Sequence, residues 1–477
     1  MERRAFLKQM ILASSAAGMA GVMPRLLRAE SCVASAMPRT LINVMLQGGA
    51  DFRYLFMPAP SHPDSLYLDG IWNARSSLYS ADYGDYQQMF DSEYLLASDP
   101  LSGLPFGIHN SAAWLHSQFE AGQVAVIANA YCSRNRRHDQ SILNADAGEP
   151  DLAQLNFDRA GWGGRLIEAI PGSGNVVELG SSVSVFSKGS QPGDRMARVV
   201  HAENMRGMAL AGQDEESAAG SRRNVLARAL NAWYEGRGPE LANEKPPGWA
   251  YQTFVSHRSA IQQFGLAIDE RLAQCQPLPD ELLNLELNNG SFAQQCRNLF
   301  DACQLPDVLD LRVMSMSYGG WDTHDNLAVE ITENISDIFG AAGGLATTFP
   351  LLDGIPFAAQ PVSDQLVMYF ASDFGRQLAA NGTFGTDHGR GTYSIMLGKP
   401  VQGGIYGELF PAAEALASDD GRIPLQTQGA DISGRTSTEK ILAEACEWVE
   451  PGTSTAVFPN AGTADIETPG MLDSLLS

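Results

Sequence analysis

The stretch "TLINVMLQGGAD" (residues 40–51) decides the fold. It begins with a short apolar run and then enters a glycine turn at Gln47, Gly48 and Gly49. A short apolar run bounded by glycine is typical of a strand that is buried on both faces. Asp51 follows the turn directly. The stretch therefore predicts a buried strand with an acidic side chain just beyond its carboxyl end.

Similar apolar runs alternate with helical patterns along the rest of the chain. The clearest are "QVAVIANAY" (123–131), "DLRVMSMSY" (310–318), "QLVMYFAS" (365–372) and "TYSIMLG" (392–398), with shorter candidates in "NVVELG" and "VSVFS". Helical patterns include "SAAWLHSQFEAG", "NLAVEITENISDIFGAAGGLA" and "TEKILAEACEWV". Buried strands that alternate with helices predict an α/β fold with a mostly parallel sheet covered on both faces. Residues 52–105 lack a clear period and are interpreted as long loops.

The chain is predicted to form one large domain behind a short targeting segment. Residues 37–477 contain no repeat and no low-complexity stretch, and a helical insertion is expected at about 222–304. Residues 1–36 combine the pair Arg3 and Arg4 with a weakly apolar stretch and a small-residue cleavage pattern. This segment resembles a twin-arginine signal peptide, which implies the twin-arginine export machinery as a partner and a periplasmic or secreted location. We expect no transmembrane helix in the mature chain.

The composition is that of a globular protein with an acidic surface. Of the 477 residues, 44% are hydrophobic, and the formal net charge is −23. Such a charge argues against nucleic acid as a partner, because phosphates require a basic surface. It also argues against docking on anionic lipid. Most of the carboxylates are expected on the solvated surface, but a cluster inside a site would hold cations.

Acidic and histidine residues follow the predicted strands and are candidates for a metal site. Asp51 follows the first strand, Asp322 and His324 follow "LRVMSMSYGGW", Asp373 follows "LVMYFAS", and His388 lies in "NGTFGTDHGRG". The carboxyl ends of parallel strands meet at one edge of a sheet, where ligands bind. Carboxylates and imidazoles gathered there would bind Zn²⁺ if nitrogen predominates, and Mg²⁺, Mn²⁺ or Ca²⁺ if oxygen does. Each aspartate alone has an alternative role as a turn former or helix cap.

Seven motifs, in this order, add a family resemblance that extends over about residues 40–450. They are "LQGGAD", "FGIHNSAAWLHSQFEAGQVAVIANAY", "GWGGRL", "GGWDTH", "SDFGR", "NGTFGTDHG" and "GGIYGELFP". Together they resemble a bacterial family that is exported by the twin-arginine route and carries a domain of unknown function. That family is placed in the alkaline phosphatase and sulfatase superfamily. The resemblance implies an alkaline-phosphatase-like three-layer sandwich.

The superfamily also implies roles for the candidate ligands. Its members hold two metal ions at the strand ends. By position, Asp322, His324 and His388 resemble the first set of ligands, and Asp51 and Asp373 resemble the second. Asp387 offers an alternative, as the acidic partner of His388 in the superfamily's Asp-His dipeptide. Phe374 stands where alkaline phosphatases have a histidine, which implies a second metal that is weakly held or absent.

The superfamily's nucleophile is a serine, threonine or formylglycine at a helix start, and the matching region here is "AYCSRNRRHDQS". Cys132 and Ser133 are the candidates for a nucleophile, although Arg134 departs from the sulfatase pattern and ordinary loop roles remain open for both. Arg134, Arg136 and Arg137 are candidates for binding an anionic group, or alternatively for pairing with surface acids.

Two functions follow from these features. The first is an exported, metal-dependent hydrolase of a small-molecule phosphate or sulfate ester. The second is a non-catalytic metal-binding protein of the same fold that binds an envelope polymer or another partner. The aspartate and histidine set favours the first function, while Arg137 and Phe374 favour the second.

Overall fold

A computed structural model describes most of the chain and is the structure used throughout. The described residues are 36–79, 81–172, 174–180, 182–190, 198–208, 264–356, 360–415, 425–426 and 429–477, with single positions at 225, 228, 229 and 232. The predicted signal peptide lies outside them, apart from residue 36. Much of the predicted insertion at 222–304 also lies outside them. Its described part includes helical residues 264–274.

Fourteen β-strands are found in the described residues. They are β1 (Thr40–Leu46), β2 (Phe56–Pro58), β3 (Tyr94–Ser98), β4 (Pro105–His109), β5 (Val124–Tyr131), β6 (Asn175–Glu178), β7 (Arg198–His201), β8 (Val313–Tyr318), β9 (Leu366–Ser372), β10 (Arg376–Ala380), β11 (Thr386–His388), β12 (Thr392–Leu397), β13 (Gly404–Tyr406) and β14 (Thr436–Ser437). Nine of them form one sheet in the order β13-β5-β12-β9-β1-β8-β6-β7, with β14 beside β5. Within this sheet, as described, only β12 runs against the others. The predicted α/β fold with a mostly parallel sheet is confirmed.

Fourteen α-helices accompany these strands in the described residues. They are α1 (Phe52–Leu55), α2 (Ser65–Arg75), α3 (Tyr86–Glu93), α4 (Ala113–Glu120), α5 (His138–Ala147), α6 (Trp162–Ala169), α7 (Asp280–Leu283), α8 (Gly290–Cys303), α9 (Pro306–Leu309), α10 (Leu327–Phe339), α11 (Gly344–Leu352), α12 (Ala412–Ala415), α13 (Thr438–Val449) and α14 (Ser454–Val457). Short 3-10 turns at Ser76–Leu78, Asn110–Ala112, Val185–Ser187 and Val362–Gln365 complete the set.

Apolar cores lie on both faces of the main sheet. In β1, Ile42 and Val44 pack into the larger core, while Leu41 and Met45 pack into the smaller one on the opposite face. This alternation follows from the two-residue period of a strand. Helix α10 contributes to the larger core and α13 to the smaller one. The sheet is therefore covered by helices on both sides, as the apolar runs predicted.

Two local predictions are wrong. Residues 52–105 are not long loops, because they contain α1, α2 and α3 and most of a three-stranded sheet in the order β2-β4-β3. Their aromatic residues pack against the larger core, and this tertiary packing produces regular structure without a clear sequence period. The "VSVFS" segment forms a 3-10 turn at Val185–Ser187 instead of a strand.

One stretch is longer and more apolar than the sequence analysis allowed. Residues Leu327–Leu352 pass a length and composition test for a membrane-spanning helix, with a mean hydropathy of 1.3. However, the stretch is divided into α10 and α11, because Gly340 has an extended conformation after Phe339. Of its most apolar window, 56% is buried inside the protein. The packing fits a core helix pair.

Phe370 in β9 provides a test of the sheet core. Its side chain is fully buried and lies 5.1 Å from the Phe339 ring of α10, measured between centroids. We expect Phe370→Ala to lower the free energy of unfolding by about 3–5 kcal/mol, because it removes buried apolar surface and leaves a cavity. The control Leu283→Ala, at a side chain that is 54% exposed, should change this free energy by less than about 0.5 kcal/mol. Urea denaturation followed by circular dichroism measures both, and equal effects would contradict the packing described.

Candidate metal centre

The candidate site lies where four parallel strands end at the same edge of the sheet. The turn at Gly48 and Gly49 follows β1, Asp322 and His324 follow β8, and Asp373 follows β9. The connection after β5 leads to His138, the first residue of α5. The fifth contribution, His388, ends the short strand β11. Residues that are hundreds of positions apart therefore meet because their strands run in the same direction.

Three of the predicted ligands form a close triangle. The Nε2 atoms of His324 and His388 are 2.9 Å apart, and each lies 3.1 Å from Oδ1 of Asp322. Ligand atoms around a tetrahedral zinc ion are roughly 3.4 Å apart, given metal–ligand distances of about 2.0–2.1 Å. The triangle is thus within a few tenths of an ångström of the spacing that such an ion requires.

The outer nitrogen of each of these histidines is held by an oxygen. Nδ1 of His388 donates to the backbone carbonyl of Arg136 at 2.8 Å, and Nδ1 of His324 donates to Oδ1 of Asp387 at 3.2 Å. Since these oxygens accept, Nδ1 carries the proton in both rings and the neutral form turns the Nε2 lone pair inward. Two lone pairs 2.9 Å apart require a shared proton or a cation between them. Such an outer hydrogen bond is typical of histidines that bind metal.

His138 is a further member of the site that the sequence analysis missed. Its Nδ1 donates to Oδ2 of Asp373 at 2.7 Å, and its Nε2 lies 3.4 Å from Oδ2 of Asp322. This Nε2 atom is buried and has no hydrogen-bond partner. His138, Asp322 and His388 each offer a ligand atom within 4.8 Å of the others. The available signal was its place after β5, which matches the place of the other candidates after their strands.

Asp373 supports the site without facing it. Its Oδ1 accepts hydrogen bonds from the backbone amides of Gly48 and Gly49 at 3.0 and 2.7 Å, and its Oδ2 accepts from His138. The carboxylate is fully buried. Gly48 has a φ of +125°, and a Cβ there would lie 2.4 Å from the amide nitrogen of Asp322, so this approach needs glycine. The structure therefore gives Asp373 the role of orienting His138, whereas the sequence suggested a direct ligand.

Arg376 fixes the carboxylate that faces the site. Its fully buried guanidinium donates to the backbone oxygens of Gly48, Gly49, Trp321 and Thr386 and to Oδ1 of Asp322. Partial burial opposes ionisation of Asp322, but the hydrogen bonds from Arg376 and His388 outweigh it and lower the pKa of Asp322 to about 2. Asp322 is therefore ionised at neutral pH, and its side chain is 47% exposed.

Asp51 is not brought into this group. Its Oδ2 atom forms a buried ion pair with Nη2 of Arg75 at 2.6 Å and accepts from the Thr386 hydroxyl at 3.3 Å. Both side chains of the pair are 1% exposed. Sequence position alone could not distinguish a metal ligand from a structural carboxylate, because Arg75 lies on α2, in a region interpreted as loop.

The three candidate anion-binding arginines each have a carboxylate partner. Arg134 contacts Asp151 at 3.1 Å, Arg136 contacts Asp431 at 3.0 Å, and Arg137 contacts Asp139 at 2.8 Å. These are the ion pairs that the sequence left open as the alternative role. Of the three side chains, that of Arg137 is the most exposed, at 67%.

Neither candidate nucleophile is placed to act as one. Cys132 is 1% exposed, and burial raises the pKa of its thiol to about 12. A thiol in that state is a poor nucleophile at neutral pH. Ser133 is fully buried, and its hydroxyl accepts from the amide of Asn135 and the side chain of Asn144, both at 3.0 Å. Its contacts are those of a loop residue.

The loop that carries His388 also differs from expectation. The sequence showed no strand before this histidine, but β11 includes Thr386, Asp387 and His388 and pairs with β10. Asp387 bonds to His324 and not to its neighbour in the chain. Phe374 packs its ring 4.7 and 4.5 Å from the rings of His138 and His388, so it supports two imidazoles where a further ligand was considered.

Comparison with known proteins gives one match. The family described as "Protein of unknown function (DUF1501)" matches residues 288–420. No curated protein and no solved structure matches the chain. The matched stretch contains Asp322, His324, Asp373 and His388, whereas His138 precedes it. Over this stretch the chain is similar to a family of unknown function, as the motifs suggested.

The ion pair of Asp51 and Arg75 leads to a prediction about stability. We expect Asp51→Asn to lower the free energy of unfolding by about 3–5 kcal/mol, because it leaves a buried guanidinium without its counter-charge. Zinc affinity should change little, since Asp51 lies outside the ligand group. Denaturation and metal titration of the same variant test both points. Asp151→Asn, at an exposed pair, is the control and should have a much smaller effect on stability.

The histidine environments predict how metal binding depends on pH. The hydrogen bond to Asp373, opposed by burial, raises the pKa of His138, while burial lowers the pKa of His388. Because a ligand must be deprotonated, zinc affinity should fall as the pH falls through the raised pKa of His138. The fall should begin above the ordinary histidine value of about 6.5.

Zinc titrations between pH 5 and 8 measure this dependence. In Asp373→Asn the carboxylate that favours protonated His138 is gone, so the acid limb should move to lower pH. Affinity on the alkaline plateau should drop by about 10- to 100-fold, because the histidine loses an orienting partner. An affinity that stays constant over this range would contradict the assignment of His138.

Proposed function

We propose that the protein is an exported, metal-dependent hydrolase of phosphate or sulfate esters. In this proposal it has an alkaline-phosphatase-like fold, is exported by the twin-arginine route and acts in the periplasm or outside the cell. The observation that carries the proposal is the convergence of three imidazole Nε2 atoms on the carboxylate of Asp322. The exposed fraction of Asp322, 47%, supports access from solvent.

His138, His324, His388 and Asp322 would hold the metal. The high share of nitrogen among these donors favours Zn²⁺, with Mn²⁺, Mg²⁺ and Ca²⁺ as the other candidates. A divalent ion in such a site supplies Lewis acidity toward an ester oxygen and lowers the pKa of water. The chain's own part is to orient the ligands through Asp373, Asp387 and the Arg136 carbonyl, and to keep Asp322 ionised through Arg376.

Electrostatics supports an anionic substrate at this position. The net charge of the chain is −23, yet Arg134, Arg136 and Arg137 lie just before His138. Their partners Asp151 and Asp139 are exposed, and exposed ion pairs are weak enough to exchange a carboxylate for another anion. We propose Arg137 as the first contact of an incoming ester, because its side chain is the most exposed of the three.

A second function is favoured by the missing nucleophile. Cys132 and Ser133 are buried, and the superfamily position before the histidine is occupied by Arg137. The alternative proposal is therefore a non-catalytic metal-binding protein of the envelope that recognises an anionic polymer or partner. Both functions need the same ligand group, so they differ in turnover and not in metal binding.

The deciding experiment combines metal analysis with an ester panel. The purified chain is stripped with a chelator, reloaded with Zn²⁺, Mn²⁺, Mg²⁺ or Ca²⁺, and assayed on chromogenic phosphate and sulfate esters. We expect one bound zinc ion and turnover. Asp322→Ala should reduce kcat/KM by at least about 100-fold, because it removes a direct ligand. His116→Ala is the matched control, since its Nε2 bonds to the Leu96 carbonyl on another part of the surface.

The outcomes separate the two proposals. Turnover that requires metal and is lost in Asp322→Ala supports the hydrolase. Stoichiometric metal without turnover on the whole panel supports the binding protein. A chain that binds none of the four ions would rule out both proposals.

A further inference from the structure

Phe384 occupies an unusual position in the loop beside the site. It has a φ of +62°, in the left-handed region that glycine and asparagine adopt most readily. A bulky aromatic residue there is strained. Its side chain is also 57% exposed. The turn thus holds an aromatic ring in solvent at two energetic costs, whereas a glycine or asparagine would avoid both.

The backbone of this turn is fixed by hydrogen bonds to the segment that carries His324. The amide of Leu327 donates to the carbonyl of Phe384 at 3.0 Å, and the amide of Asn326 donates to that of Thr383 at 3.1 Å. The Thr383 hydroxyl donates to the His324 carbonyl at 2.7 Å. The position of Phe384 therefore follows from the same segment that positions the metal ligand.

Asn381 joins the turn to the site directly. Its Nδ2 donates to the His324 carbonyl at 2.9 Å and to Oδ1 of Asp387 at 3.3 Å, and Asp387 is the partner of His324 Nδ1. Its Oδ1 accepts from the amides of Thr383 and Gly385, each at 3.0 Å. One side chain thus holds both the imidazole environment and the turn of Phe384.

The distance from Phe384 to the ligands is short. Phe384 pairs with Asp325 as an antiparallel bridge, which places their Cα atoms about 5 Å apart. Asp325 is the residue after His324, and the side chains of His324 and Asp322 are 38% and 47% exposed. An exposed ring therefore lies at the rim of an exposed ligand group.

We infer that Phe384 is a substrate-contacting residue that binds the organic part of the ester. Backbone strain at a site is retained where it serves function, and an exposed aromatic ring beside polar ligands offers an apolar face that those ligands lack. The substrate class that fits is an ester whose alcohol part carries an aromatic ring. This inference rests on the proposed function, because the ligand group must hold the anionic end of the same molecule.

The test uses two phosphonates that share one anionic group. Binding of phenylphosphonate and of methylphosphonate to the zinc-loaded full chain is measured by calorimetry. We expect phenylphosphonate to bind more tightly by about 3- to 10-fold, the range of an aromatic contact. Phe384→Ala should abolish that preference while leaving methylphosphonate affinity unchanged. Leu96→Ala, which also removes an exposed apolar side chain (63%), is the matched control and should retain the preference.

The outcomes distinguish this inference from the proposed function. If neither phosphonate binds, the ester site is absent and the inference fails with it. If both bind equally well in the unaltered chain, or if Phe384→Ala retains the preference, the inference is overturned and the proposed function stands.

A second variant separates substrate contact from packing. Phe384→Gly places a residue at this φ that adopts it freely, so its melting temperature should stay within about 2 °C of the unaltered chain. It should lose the preference for phenylphosphonate. A large fall in melting temperature would show that the ring is a packing group and would overturn the inference.

Discussion

The buried guanidinium of Arg376 is the interaction on which the arrangement of the candidate site depends. It binds the Gly48–Gly49 turn after β1, the Trp321–Asp322 segment after β8 and Thr386 in β11, so a single side chain holds three loops against one another. A fully buried positive charge needs such a set of acceptors, since an unpaired one would be costly. The cluster of backbone oxygens and the Asp322 carboxylate meets that need, and it fixes the carboxylate that faces the histidines.

The histidines depend on a second set of oxygens that lies behind them. Asp373, Asp387 and the Arg136 carbonyl each hold one Nδ1 atom, and this determines where the Nε2 atoms point. Arg136 is itself anchored by the buried Asp431, which also binds Arg390 in the loop after His388. The site therefore has an inner layer that could hold an ion and an outer layer that determines tautomer and direction. This outer layer is the clearest physical reason to regard the cluster as a binding site and not as a chance group of polar residues.

The success and failure of the sequence predictions followed the range of the interactions involved. Strands β1, β5, β8, β9 and β12 were placed within a few residues, because burial on both faces leaves a continuous apolar run. Residues 52–105 were interpreted as loops because their regular structure is stabilised by aromatic packing on the core. Asp322, His324 and His388 were grouped correctly from their places after strands, but Asp51 was placed with them although its partner is Arg75. His138 was missed because six residues separate it from the end of β5.

The sequence by itself determined the fold class, the direction of the main strands and the edge of the sheet at which polar residues gather. These properties follow from periodicity and chain order, which are local. Only the tertiary structure decided the role of each carboxylate: Asp322 faces the histidines, Asp373 and Asp387 orient them, and Asp51 neutralises an arginine. The physical reason is that an aspartate after a strand looks the same in every case, and its function depends on which donor from a distant part of the chain reaches it first.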